Sequence, residues 1–189
     1  MLAYHESSAE SELKVFDRSG NGIATPGPRA LYSWPRFSPD GKSIAASLTD
    51  PKSGTEDDWS LSLAGGAAFR PAATAGLNAS EYEGKFSPDG RWLTFFSYET
   101  GRPEVYVVPF PAAGSKSQVS TTGGWLPRFG GKELFYVTMS NRLMALRFTP
   151  SRRSAWTLFT PCFNSISPTF PIAPCRSTTS APMASISQC

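Results

Sequence analysis

Phe37-Ser38-Pro39-Asp40-Gly41-Lys42 returns 49 residues later as Phe86-Ser87-Pro88-Asp89-Gly90-Arg91. In both quartets serine stands first, proline second and glycine fourth, the residue order that a type I β-turn prefers. Proline presets the second position, and glycine accepts the backbone that leaves the turn. Ser38, Pro39, Asp40 and Gly41, with Ser87, Pro88, Asp89 and Gly90, are therefore expected to be structural turn residues. Two copies of a turn make no active site, but they set a period.

Each turn runs into a short β-forming segment, Ile44-Ala45-Ala46 in one copy and Trp92-Leu93-Thr94-Phe95-Phe96 in the other. Both are too short for a helix. Further on, Trp59, Leu61 and Leu63 alternate with Ser60 and Ser62, and Val105-Tyr106-Val107-Val108 answers in the second copy, with Pro109 expected to end its pairing. A third copy, Pro127-Arg128-Phe129-Gly130-Gly131-Lys132-Glu133-Leu134-Phe135-Tyr136-Val137, places Gly131 a further 41 residues along. A partial copy precedes them all: Leu2-Ala3-Tyr4, then Leu13-Lys14-Val15-Phe16 closing on Asp17-Arg18-Ser19-Gly20. A period in the forties with short strands is the mark of a β-propeller blade, a small sheet that must stack on its neighbours. The expected fold is all-β: a partial propeller of about three to four four-stranded antiparallel blades over residues 1–150, then an irregular tail over 151–189.

Composition narrows the function more by exclusion than by indication. All 15 acidic residues precede residue 151 and are balanced there by 15 of the 18 basic ones, leaving Arg152, Arg153 and Arg176 as the whole excess. A neutral body without a basic stripe argues against nucleic acid as a partner. The apolar runs are too short to cross a bilayer, and the first residues lack the pattern of a signal peptide, so no membrane segment is expected in this chain. Cys162, Cys175 and Cys189 all lie in the last 39 residues, odd in number and in no zinc-binding spacing.

The search for chemistry ends in structural readings. His5 is the only histidine, there is no Gly-x-Ser-x-Gly elbow, and no catalytic residue, cofactor or metal ligand is expected. Gly20-Asn21-Gly22-Ile23-Ala24-Thr25 lacks the third glycine of a nucleotide loop and reads as a hairpin. Asp40 and Asp89 read as turn residues rather than as an acid/base pair. Asp57-Asp58 and Glu81-Tyr82-Glu83 are expected to be solvated acidic clusters on loops, with a cation site at a blade edge as the alternative, and Asn78-Ala79-Ser80 matches a glycosylation acceptor, a pattern too common to carry weight. Trp34, Trp59, Trp92 and Trp125 are expected to pack between blades, with ligand contact at the rim as the alternative.

The Phe-Ser-Pro-Asp-Gly-Lys/Arg copies resemble the WD40-like, TolB-type propeller repeat. Residues 86–148 resemble something narrower. Glu104 to Pro111, Gln118 to Gly124, Pro127-Arg128-Phe129, Gly131 to Tyr136 and Arg142-Leu143-Met144-Ala145 are similar to the last blades of the propeller attached to bacterial transmembrane serine/threonine kinases. The resemblance covers roughly residues 1–148 and implies a non-catalytic interaction or sensor module that takes a protein or small ligand at the propeller face. It also implies an extracytoplasmic location, with any kinase domain outside this chain. A TolB-type periplasmic protein-binding propeller and a non-functional gene fragment are the alternatives. Where the family has an aspartate in the third turn this chain reads Phe129-Gly130-Gly131, so an irregular turn is expected there.

From Ser151 the sequence changes character: Asp, Glu and Lys vanish, and 18 of 39 residues are Ser, Thr or Pro. Such a composition offers too little apolar surface to offset chain ordering. Shifting the codons of Ser177 to Ser187 one base earlier permits Tyr-Asp-Val-Ser-Ala-Asp-Gly-Gln-His-Phe, another blade turn, with its glycine forced by Met183-Ala184. The tail is therefore expected to be disordered or a frameshifted version of the last strands.

Overall fold

In the computed structural model, residues 2–4, 11–50, 52–65, 80–111 and 116–147 are described. The tail from Ser151, His5 and the Asn78-Ala79 pair lie outside them. The described residues form strands and turns with no helix.

Thirteen strands fall into four antiparallel sheets among the described residues. Blade 1 is β1 (Leu2–Tyr4), β2 (Lys14–Phe16) and β3 (Gly22–Ala24). Blade 2 is β4 (Leu31–Phe37), β5 (Ser43–Thr49) and β6 (Glu56–Ser62). Blade 3 is β7 (Glu81–Phe86), β8 (Trp92–Ser97), β9 (Glu104–Pro109) and β10 (Ser117–Gln118). Blade 4 is β11 (Trp125–Gly130), β12 (Glu133–Val137) and β13 (Leu143–Arg147). Each sheet is a meander in chain order, so every connection within a blade is a hairpin. The fourth strand is described only in blade 3.

The two Pro-Asp-Gly turns close identically. The Gly41 N–H donates to the Ser38 carbonyl at 2.9 Å, and Gly90 does the same to Ser87. Both glycines have φ 68°, the left-handed region that costs a side chain dearly. In each turn the serine hydroxyl donates to the aspartate (Ser38 Oγ to Asp40 Oδ1 2.6 Å, Ser87 Oγ to Asp89 Oδ1 2.5 Å) and accepts the first amide of the next strand at 3.0 Å. The third turn is not irregular but shorter. Gly130 pairs with Glu133 across a two-residue connection, with Gly131 at φ 62°. Pairing also outlasts Pro109, because the next amide, Phe110 N–H, donates to the Arg91 carbonyl at 2.8 Å.

Alternation along the strands decides what each blade faces. In blade 3, Leu93, Phe95, Tyr106 and Val108 pack with Ala45 of blade 2. The side chains between them, Phe96, Val105 and Val107, turn the other way and pack with Leu134, Tyr136 and Leu146 of blade 4. In blade 2, Ile44, Ala46 and Leu61 meet Leu13 and Val15 of blade 1. There are thus three apolar layers, each shared by consecutive blades, and no blade owns a core of its own. Inner strand β7 packs across β4, β5 and β6, and β11 across β7, β8 and β9.

The serine hydroxyls of the turns are buried, and each serves two hydrogen bonds. Ser38→Ala and Ser87→Ala should each lower stability by about 1–3 kcal/mol, because an aspartate and a strand amide both lose a partner. Equilibrium urea unfolding of the two variants should give matching losses; a loss in one alone would mean that the turns are not equivalent.

Candidate functional site

The strand before each turn carries a β-bulge at the same place. Register slips between Ser33 and Arg36 in β4, between Tyr82 and Lys85 in β7, and between Trp125 and Arg128 in β11. At the slip stands a non-glycine residue with positive φ: Trp34 (54°), Glu83 (63°) and Leu126 (52°). Left-handed backbone at a bulky residue is costly, and its repetition in three blades marks a constraint of the architecture. Two residues after each slip position comes a cation, Arg36, Lys85 or Arg128, and then Phe37, Phe86 or Phe129, anchored between blades or, for Phe37, in the blade 1/2 core. The bulges thus present a row of basic residues on three neighbouring inner strands, the strands that line the channel of a propeller.

Buried carboxylates fix the junctions behind this row. Asp58 of β6 is fully buried between blades 2 and 3, where its Oδ1 accepts the Ser47 hydroxyl at 2.5 Å. Its carboxyl group lies against the β7 bulge: a Cβ built on Gly84 would sit 3.2 Å from Oδ2. The matching positions in β4 and β11 are Pro35 and Pro127, so blade 3 carries glycine where the neighbouring carboxylate needs the room. Burial pushes the Asp58 carboxyl up to about 6, opposed by the Ser47 hydroxyl and the Gly84 amide. At the junction of blades 3 and 4, Glu104 accepts the Gly123 N–H at 2.9 Å and the Arg102 guanidinium at 2.7 Å, and the Ser120 hydroxyl donates to its other oxygen.

The end of the blades opposite the Pro-Asp-Gly turns exposes apolar side chains. Leu31 and Trp125 begin β4 and β11, Tyr98 follows β8, and Met139 follows β12; all four are exposed. Tyr98 belongs to an aromatic group with Tyr82 and Phe96, whose rings stack at 5.2 Å between centroids. The four tryptophans therefore divide. Trp59 and Trp92 pack on blade cores, whereas Trp34 and Trp125 are exposed, because the bulge rotates the inner strand and turns their side chains away from the neighbouring blade. A cleft of about 840 Å³ lies at the turn end between blades 3 and 4, lined by Ser87, Asp89, Arg91, Phe129, Lys132 and Arg147 among others.

The turn residues Ser38 to Gly41 and Ser87 to Gly90 sit in separate blades, and Gly131 in a third, but the turn ends adjoin: a Cβ on Gly90 would lie 3.8 Å from Pro39, and Ser87, Pro88, Asp89 and Gly131 line the same cleft. The Ser38 hydroxyl and then the Lys42 amide hold the Asp40 carboxyl below its ordinary range. Asp58, Glu81 and Glu83 are buried rather than solvated, and Glu83 is paired with Lys85. Among the described residues no cluster of His, Cys, Asp and Glu is arranged to hold a metal ion. The Gly20-Asn21-Gly22 stretch is the β2–β3 hairpin, with Asp17 accepting the Ser19 and Asn21 amides. Reading the sequence missed the row Arg36, Lys85, Arg128, although each cation stands one residue before the repeated phenylalanine.

Solved structures share this arrangement. The chain superposes on TolB from Acinetobacter baumannii with a TM-score of 0.58 at 19% identity, covering 84% of this chain and 40% of that one. Against a TolB-designated protein from Agrobacterium tumefaciens the TM-score is 0.54 at 20% identity, covering 74% of this chain and 57% of that one. The fold is that of the TolB-type propeller. The chain thus spans about half the length of these TolB structures, and its four sheets are part of a propeller. No protein-family model matches the chain.

Asp58 makes a pH prediction. Its folded value of about 6 lies above the ordinary carboxyl value of 3.8, so folding disfavours the charged form. Its contribution is fully present below about pH 4 and is lost as pH rises through 6. The displacement corresponds to a few kcal/mol at about 1.4 kcal/mol per pH unit. Asp58→Asn should therefore gain stability relative to the parent as pH rises from 4 to 7, read by thermal melts across that range; a constant difference would show that Asp58 does not titrate in the junction. Gly84→Ala should cost on the order of 1–3 kcal/mol from overpacking. Much less should be lost when Asp58→Ala accompanies it.

Proposed function

We propose that this chain is a non-catalytic interaction module, a piece of a TolB-type propeller that docks a protein partner on the end opposite its Pro-Asp-Gly turns. The observation that carries this reading is the exposed set Leu31, Tyr98, Trp125 and Met139, gathered at one end of three consecutive blades. Apolar groups collected at a rim form the core of a protein interface more readily than a site for a polar solute. No cofactor enters this reading. The similarity to TolB structures supports a TolB-type periplasmic binding propeller as a second reading.

The origin we infer is the extracytoplasmic propeller of a bacterial transmembrane serine/threonine kinase, with residues 1–150 as the propeller portion and 151–189 as a disordered or frameshifted tail. The ordered series from Glu104 to Ala145 supports it. Kinase chemistry would then belong to a domain outside this chain.

Two measurements test the proposal. Affinity capture on the immobilised chain should retain a partner that the Trp125→Ser/Met139→Ser double variant loses; a partner held equally by both would remove the end face from the account. Sequencing the surrounding locus should show kinase motifs and a membrane helix upstream, and the alternate frame of Ser177 to Ser187 should read as a blade turn. Their absence would overturn the kinase origin and leave the docking face untouched.

A further inference from the structure

The channel side of blades 2, 3 and 4 carries charge that the docking face does not use. Arg36, Lys85 and Arg128 occupy equivalent positions on β4, β7 and β11, neighbouring inner strands in contact. The middle cation is already neutralised: Lys85 Nζ pairs with Glu83, and both side chains are nearly buried. Burial pushes the Lys85 ammonium below its ordinary value. Glu83 opposes that shift, and the guanidiniums of Arg128 and Arg36 add to it, which places both arginines within electrostatic reach of one point. Asp58, the other acid whose field reaches Lys85, is sealed in the junction against Gly84.

Arg36 and Arg128 differ from Lys85 in being exposed. Arg36 donates to its neighbour's carbonyl, Pro35 O, at 2.9 Å. Among the described residues neither guanidinium has an acidic side chain within ion-pair distance, in contrast to Lys85 between them. Two guanidiniums held on either side of a neutralised pair are a surplus of positive charge on the inner strands, each with a planar fork of donors. That donor set matches the oxygens of carboxylate and phosphate. The bulges hold it in place: each cation follows a left-handed residue and precedes a phenylalanine packed in a core, so its backbone is anchored on both sides.

We propose that Arg36 and Arg128, with Lys85 between them, form an anion site on the channel wall, for a small ligand bearing at least two carboxylate or phosphate groups. One anionic group meets each guanidinium, and the Lys85–Glu83 pair keeps the space between them polar without adding net charge. This inference is independent of the docking face, since it uses none of the residues at the blade ends.

Isothermal titration of the full chain with pyrophosphate and, separately, with citrate tests it. At least one anion should bind in a saturable way and raise the melting temperature as its concentration rises. Arg36→Gln or Arg128→Gln should each weaken binding about tenfold or more, the size expected for losing a hydrogen bond to a charged group. The double variant should lose binding, whereas Lys132→Gln in the turn-end cleft should leave it unchanged. Pyrophosphate bound more tightly than citrate assigns a phosphate ligand, and the reverse order a carboxylate. Should a glutamine variant fail to fold, Arg36→Lys and Arg128→Lys keep the charge, remove the fork and should still weaken binding. No binding by the parent at millimolar concentration, or equal binding by the double variant, overturns the proposal.

Discussion

A three- or four-stranded sheet of strands no longer than seven residues has two faces and too little thickness to bury either alone. Everything else in this protein follows from that constraint. Leu93 and Phe95 leave β8 toward blade 2, and Phe96 leaves it toward blade 4. Each fully buried side chain of this kind contributes about 1.5–3 kcal/mol, but only while the neighbouring blade is present to exclude water. Stability therefore lies in the junctions between blades. The hydrogen bonds inside each sheet fix its register, and the junctions fix where the sheets stand.

The junctions also explain the polar residues that a plain apolar stack would exclude. Asp58 and Glu104 each place a carboxylate in a blade interface, where it accepts a hydroxyl hydrogen bond. Burying a charge there costs energy unless the carboxylate is hydrogen-bonded. Its effect on the backbone is local: Gly84 stands where β4 and β11 have proline, and a Cβ there would press on the Asp58 carboxyl at 3.2 Å. The same bulge separates Gly84 from the regular pairing that resumes at Lys85, whose buried ammonium pairs with Glu83.

Much of the architecture is legible in the sequence. The repeated Ser-Pro-Asp-Gly quartets are local chemistry, and the alternation of Trp59, Leu61 and Leu63 is a plain period of two. The inner strands are harder to read, since β4 carries Pro35 at its centre and β7 carries Gly84, residues that argue against a strand. A bulge breaks the alternation on which strand reading depends, which hides both the exposure of Trp34 and Trp125 and the row of cations. The third turn reads as a gap because it lacks an aspartate, although Gly131 suffices to reverse the chain in two residues. The burial of Asp58 is not local information at all; it depends on blade 3 arriving against blade 2.

Native-state hydrogen exchange on two adjacent truncations tests the shared-junction claim most directly. Phe95→Ala should lower amide protection in blade 2, around Ala45, as well as in blade 3, whereas Phe96→Ala should lower it in blade 4, around Leu134, and spare blade 2. Protection lost only within blade 3 in both variants, or lost on the same side in both, would contradict the account.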